Sequence, residues 1–150
     1  MADRISTEHR SWNMSRIGAR NTKPERIIRS YLHRSGIRFR LYSKKLPGTP
    51  DLVLAKFKTV IFVNGCFWHG HNCKGFKWPR QNREIWRKKI NDNINRDKRN
   101  YMLLNDLNWR VLTVWECAVR DKKAVDIEDC INRILSWLYS NAAEGNIPGK

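Results

Sequence analysis

A chain of 150 residues, 41% of them apolar, is long enough for one domain with a real core and too apolar for general disorder. It has no apolar run near the roughly 18 residues that a membrane span needs. Its N-terminus, "MADRISTEHRSWNMSRIGAR", lacks a secretory apolar segment, so a cytoplasmic protein is expected. The formal net charge of +16 points to a polyanionic partner, nucleic acid foremost, without separating DNA from RNA. Residues 1–50 carry 12 Lys/Arg against 3 acids, whereas residues 121–150 carry 4 against 5, so the positive charge sits toward the N-terminal part.

Residues 1–21 are basic with few apolar positions and read as an arm or a short helix that orders on its partner. A helix starts at Thr22, a candidate N-cap, with Pro24 in the first turn and Glu25 placed as in a capping box; Gly36 ends it. "IRFRLY" alternates as a strand does, and "KKLPGTP" is a turn-rich connection. "DLVLA" and "TVIFVNG" read as a hairpin buried on both faces. "NREIWRKKINDNINRDKRNYMLLNDLN" is a long helix, with Ile90, Ile94, Tyr101 and Leu104 on its packed side and Lys89, Asn93 and Asp97 on another. "WRVLTVWE" is a further strand, and "VDIEDCINRILSWLY" a helix with an apolar stripe. The Gly/Pro/polar end is expected to be loose. The organisation is an arm over 1–21, a folded domain over 22–141 and a tail over 142–150, with an α/β fold around a mixed sheet.

The densest chemistry lies in "VNGCFWHGHNC". Cysteines in a cytoplasmic chain read as metal ligands or core thiols rather than disulfides. Cys66, His71 and Cys73 form a C-x4-H-x-C cluster that needs a fourth ligand. Cys117 ends a strand, whereas Cys130 falls inside an apolar helical stripe, so Cys117 is the better candidate and Cys130 a core residue. Three thiolates and one imidazole suit tetrahedral zinc in a closed, structural site. The alternative is a set of ordinary buried thiols beside a histidine. His69 lies two residues from His71, and spacing leaves it open as ligand or as acid/base group. Asp51 opens a buried strand after Pro50. A turn-capping aspartate is the commoner case there, but in so basic a chain it is also a candidate cation ligand facing phosphate.

Together, "LPGTPDLVL", "VIFVNGCFWHGHNC", "NINRDKRN" and "LNWRVLTVWEC" resemble the very-short-patch-repair (Vsr) mismatch endonucleases, from about residue 10 to about residue 140. The resemblance implies a restriction-endonuclease-like fold and magnesium-dependent nicking of one DNA strand, 5′ to the thymine of a T:G mismatch. It implies a role in repairing deaminated 5-methylcytosine, with a cytosine-5 methyltransferase as functional partner. The enzyme would be a bacterial, nucleoid-associated monomer. By the same resemblance, Asp51 is the magnesium-binding carboxylate, the Val63 carbonyl a second magnesium ligand and His69 the catalytic histidine. Glu25 and Asp97 help hold the water network. Cys66, His71, Cys73 and Cys117 are the zinc ligands. Phe67, Trp68 and Trp86 wedge into the base stack, Lys89 and Asn93 reach the mismatched pair, and Met14 belongs to an arm against the minor groove.

The chain departs from the family pattern at Asn64, Gly70 and Asn72, which stand where some members carry histidines. The strand after Asp51, "VIFVN", also lacks the Glu-x-Lys pair common in this fold. Rival readings are a non-catalytic zinc DNA-binding protein, a nuclease for matched duplex and, more weakly, an RNA binder.

Overall fold

Two apolar, β-branched runs make the centre of the fold, and the rest of the chain follows from how they pair. The computed structural model describes residues 21–73 and 76–149; the N-terminal arm with Met14 lies outside the described residues. In chain order come α1 (Lys23–Arg34), β1 (Arg40–Leu41), β2 (Leu52–Leu54), β3 (Thr59–Asn64), α2 (Arg83–Asp106), β4 (Arg110–Trp115), α3 (Ala124–Leu138) and β5 (Glu144–Ile147). One sheet holds the strands in the order β1-β2-β3-β4-β5. The first three run antiparallel, as the expected hairpin requires; β3–β4 and β4–β5 are parallel. Parallel neighbours need a crossover, and α2 and α3 supply them.

Successive side chains of a strand point to opposite faces. Ile61 and Val63 of β3 therefore meet a core shared with α1 and α3, while Val60 and Phe62 meet a second core with Leu104 and Tyr101 of α2. This double burial explains the unbroken apolar sequence of β3. In α1, Thr22 is the N-cap, its Oγ1 accepting from the Glu25 N–H at 3.4 Å, and Ile28 and Leu32 are buried. In α3, Ile127, Cys130, Ile131, Ile134 and Leu138 form the buried stripe that their spacing predicts.

Two elements differ from the sequence reading. "IRFRLY" keeps only Arg40–Leu41 as strand, and Tyr42, at φ +50°, ends it. The expected loose tail instead contributes β5, with Ile147 buried against β4. The turn into β5 is held by Arg110, whose guanidinium donates to the carbonyls of Trp137, Leu138, Ser140 and Ala142, each at 2.9 Å.

Burial pushes the Cys130 thiol up to about 11 from 9.0. A folded-state pKa above the unfolded one stabilises the fold below about pH 9, and that contribution is lost as pH rises toward 11. Between these limits the native chain loses at most about 3 kcal/mol through this group. Urea unfolding at both pH values should show this loss in the native chain but not in Cys130→Ala. An equal loss in both would contradict it.

Candidate active site and metal centre

The register of β3 on β4 pairs Asn64 with Trp115, so the chains that follow leave the sheet at the same end. One enters the loop Gly65–Cys73, the other a single helical turn at Glu116–Ala118. The loop folds back on itself through His69 N–H to Gly65 O, Gly70 N–H to Phe67 O and His71 N–H to Cys66 O. These turns bring Cys66, His71 and Cys73 beside Cys117, with all four ligand atoms within 4.8 Å of one another. Cys117 Sγ and His71 Nδ1 are 3.7 Å apart. A tetrahedral ion with bonds of about 2.0–2.3 Å sets its ligand atoms about 3.3–3.8 Å apart, so the cluster reaches that geometry with no pair contracting by more than about 1 Å.

Burial pushes the Cys66 thiol well above its ordinary pKa, and the neighbouring Cys117 and Cys73 sulfurs add to this. Burial lowers that of His71, whose ring stacks on Trp115 at 4.1 Å and 8°. A cation among the sulfurs inverts the first effect by favouring thiolate. Glu116 closes the back of the centre by accepting from the Cys66 N–H at 3.0 Å. Cys130 is not part of this cluster.

The same loop carries His69. Its Nδ1 meets Asp97 Oδ2 of α2 at 2.5 Å. Asp51 stands just before β2, and its Oδ2 accepts from the Val63 N–H at 2.7 Å across the hairpin. The Tyr101 hydroxyl of α2 accepts from Asn64 Nδ2 at 3.3 Å and from Thr113 Oγ1 at 3.2 Å. Burial raises the Tyr101 pKa, and the charges of Asp97 and Asp51 are close enough to raise it further. Asn64, one of the departures from the family pattern, thus has a defined hydrogen-bonding partner.

Glu25 is buried on α1 at 2% exposure. Its carboxylate accepts a short bond from the Tyr42 hydroxyl and pairs with Arg29 at 3.7 Å. Burial, then Glu25, raises the Tyr42 pKa. The Tyr42 N–H donates to the Asp51 carbonyl at 3.3 Å, so the Glu25 network reaches Asp51 through backbone.

Phe67, Trp68 and Trp86 form one half-buried aromatic cluster, with ring centroids 5.3–5.6 Å apart. Phe76 stacks on Phe67 at 5.9 Å, and Lys89 Nζ lies 5.2 Å from the Trp86 ring centre. Asn93, expected at a base edge, donates to the Trp68 carbonyl at 2.9 Å and accepts from Arg96 at 2.8 Å. It ties the loop to α2. Gly70 completes the junction: at φ +63°, an added Cβ would meet Ile90 and Ile94 at 2.8 Å. A histidine at this position would be strained at this φ and would require the Ile90 and Ile94 side chains to shift.

The model of the family described as DNA mismatch endonuclease Vsr matches residues 2–75. The DNA mismatch endonuclease Vsr of Escherichia coli (strain K12) is 41% identical over 147 residues, covering 98% of this chain and 94% of that protein. The chain belongs to the Vsr DNA mismatch endonuclease family. The type II nicking enzyme V.XorIIP of Xanthomonas oryzae pv. oryzae (strain KACC10331 / KXO85) is 44% identical over 126 residues, 84% of this chain and 93% of that one. Among solved structures, the catalytic domain of the homing endonuclease I-Bth0305I aligns with a TM-score of 0.50 at 24% identity, over 80% of this chain and 100% of that chain. This last likeness is one of fold, and it agrees with a restriction-endonuclease-like sheet flanked by helices.

Membership in the Vsr family makes the chain an endonuclease. Among the described residues, no helix is long and apolar enough to cross a membrane. Sequence reasoning did not place Tyr101 or Tyr42 in these networks. Tyr101 fell on the packed side of a helix and so read as core; nothing in spacing shows that its hydroxyl would bond Asn64 and Thr113 within reach of the charges of Asp97 and Asp51.

Proposed function

We propose that this chain nicks one strand of duplex DNA 5′ to the thymine of a T:G mismatch and so starts repair of deaminated 5-methylcytosine. The observation that carries this reading is the His69–Asp97 pair, built on the same loop as the metal cluster and the aromatic rings. With Asp97 holding Nδ1, the His69 proton sits on Nδ1 and the lone pair on Nε2. His69 Nε2 then takes the proton of the attacking water as the water oxygen bonds phosphorus and the P–O bond to the leaving strand breaks. Asp51 and the Val63 carbonyl offer few protein oxygens, which suits a magnesium ion that keeps most of its waters. When bound there, magnesium supplies Lewis-acid charge for the phosphate. Glu25, tied to Tyr42, steadies the approach to Asp51 and thereby the water network.

Cys66, His71, Cys73 and Cys117 hold zinc, the ion best matched to three thiolates and an imidazole. It stiffens the loop from which Phe67 and Trp68, with Trp86, enter the base stack. Unstacking a step costs a few kcal/mol, and least at a mispaired step, so a rigid wedge also discriminates. Lys89 and, once released from Trp68, Asn93 reach the mismatched pair, and the arm with Met14 follows the minor groove. The enzyme acts as a cytoplasmic, nucleoid-associated monomer alongside a cytosine-5 methyltransferase.

The test is a nicking assay on duplex pools bearing one T:G pair in randomised flanks, beside matched T:A pools. Magnesium-dependent nicks next to the thymine are expected in the mismatched pool alone. Asp51→Ala should lose at least about 10³-fold in rate, because it removes the carboxylate expected to position the cation. Equal cutting of matched DNA would favour a general nuclease. Binding without cutting, by folded and metal-loaded protein, would leave a DNA-binding module.

A further inference from the structure

The metal cluster touches a segment that its four candidate ligands do not explain. The Gly149 N–H points at Cys117 Sγ, with N and S 3.2 Å apart. Three features bring this amide there. β5 lies parallel on β4 with Ile147 opposite Val114, so the chains after both strands leave the sheet at the same end. Ile147 is buried at 4% exposure, which anchors the strand. Arg133 of α3 donates from Nη1 to the Pro148 carbonyl at 2.8 Å and fixes the next peptide. Position 149 then has room for no side chain: an added Cβ would sit 2.4 Å from the Cys117 carbonyl oxygen.

An N–H directed at a ligand sulfur fixes where that sulfur points and shares the charge that a metal ion must otherwise balance. Cys117 is only half-buried, and the Gly149 N–H is a backbone donor that reaches its sulfur. We propose that Glu144–Gly149 straps the metal centre and that the Gly149 amide is a positioning donor to Cys117, tightening metal binding and slowing metal loss. This rests on the reading that the cluster holds a metal ion.

The test uses cobalt(II) as probe, in the whole chain, in a chain ending at Ile147, and in Gly149→Ala. The truncation keeps β5 and so spares the sheet. A chromophoric chelator competes for cobalt, and the thiolate-to-cobalt charge-transfer band is recorded. Both variants should bind cobalt about 10–100-fold more weakly and release it faster. Their band should move to lower energy, because a sulfur without its N–H donor gives up electron density more readily. Arg133→Ala, which keeps the donor but frees Pro148, should fall between. Unchanged affinity and band in the truncated chain would overturn the proposal. So would a lower melting temperature with an unchanged band, since that is a purely structural effect. Failure of the whole chain to bind cobalt would instead overturn the metal reading beneath it.

Discussion

His69→Ala should lower the single-turnover nicking rate by about 10²–10⁴-fold while leaving mismatched-duplex affinity and melting temperature nearly unchanged. The expectation follows from the geometry of one ring. Asp97 holds Nδ1 at 2.5 Å, which leaves Nε2 as the only ring nitrogen able to accept a proton. The side chain is half-buried rather than part of either core, so its truncation removes little packing. Asp97→Asn is the sharper test. The amide can turn its NH2 toward Nδ1, which would place the ring proton on Nε2 and block it as a base. Asp97→Asn should therefore reproduce most of the rate loss of His69→Ala, although it is nearly isosteric. Its loss should persist at saturating DNA. A His69→Ala rate within about threefold of the native one would end the case for this histidine as base.

The fold was legible where burial dictates composition. The β2–β3 hairpin, the β4 strand and the stripes of α1 and α3 follow from runs and spacings that only two buried faces or one buried helical face explain. β5 was not legible. "EGNI" has one apolar residue, and its strand is made by pairing with β4 and by Gly145, where an added Cβ would meet Trp137 Nε1 at 2.1 Å. Such pairing is set by tertiary contact, not local propensity. At the site, residue chemistry favoured Cys66, His71, Cys73 and Cys117 with His69 open as an alternative ligand, and the structure brings those four together. Spacing could not divide His69 from His71; in the folded loop, His71 turns to the sulfurs and His69 to Asp97. Asp97 was expected among waters, and its direct bond to His69 is a long-range contact between a loop and a helix. Glu25 showed only half its role. Its N–H meets the Thr22 cap, but its carboxylate goes to Tyr42 rather than back to the cap.

Stripping the metal from the Cys66, His71, Cys73 and Cys117 centre should cost both stability and nicking, whereas withholding magnesium should cost nicking alone. The difference lies in what each site holds together. The loop Gly65–Cys73 has few buried apolar anchors, with Cys66 and the half-buried rings its main ones. Among the described residues, its Cys66, His71 and Cys73 meet Cys117 through the cluster, and the Cys66 N–H donates to Glu116. A metal present at a thousand times its Kd stabilises the folded state by about 4 kcal/mol. At this chain length that is a fall of about 10 °C in melting temperature on stripping. With the loop released, His69 no longer keeps its place against Asp97, nor Phe67 against Trp86, so nicking should fall by at least about 100-fold. Zinc should restore both properties and magnesium neither. Cys66→Ala should reproduce the stripped state in the presence of zinc, because it deletes the buried ligand. Melting temperature, bound metal and nicking should therefore move together in this variant, while Asp51→Ala should lose nicking with its bound zinc intact and its melting temperature lowered only by the lost Val63 N–H bond. If stripping changed neither melting temperature nor nicking, the four side chains would be neighbours without a structural ion. The rigidity of the aromatic wedge would then have to come from the Asn93–Trp68 bond and the Gly70 contact with α2.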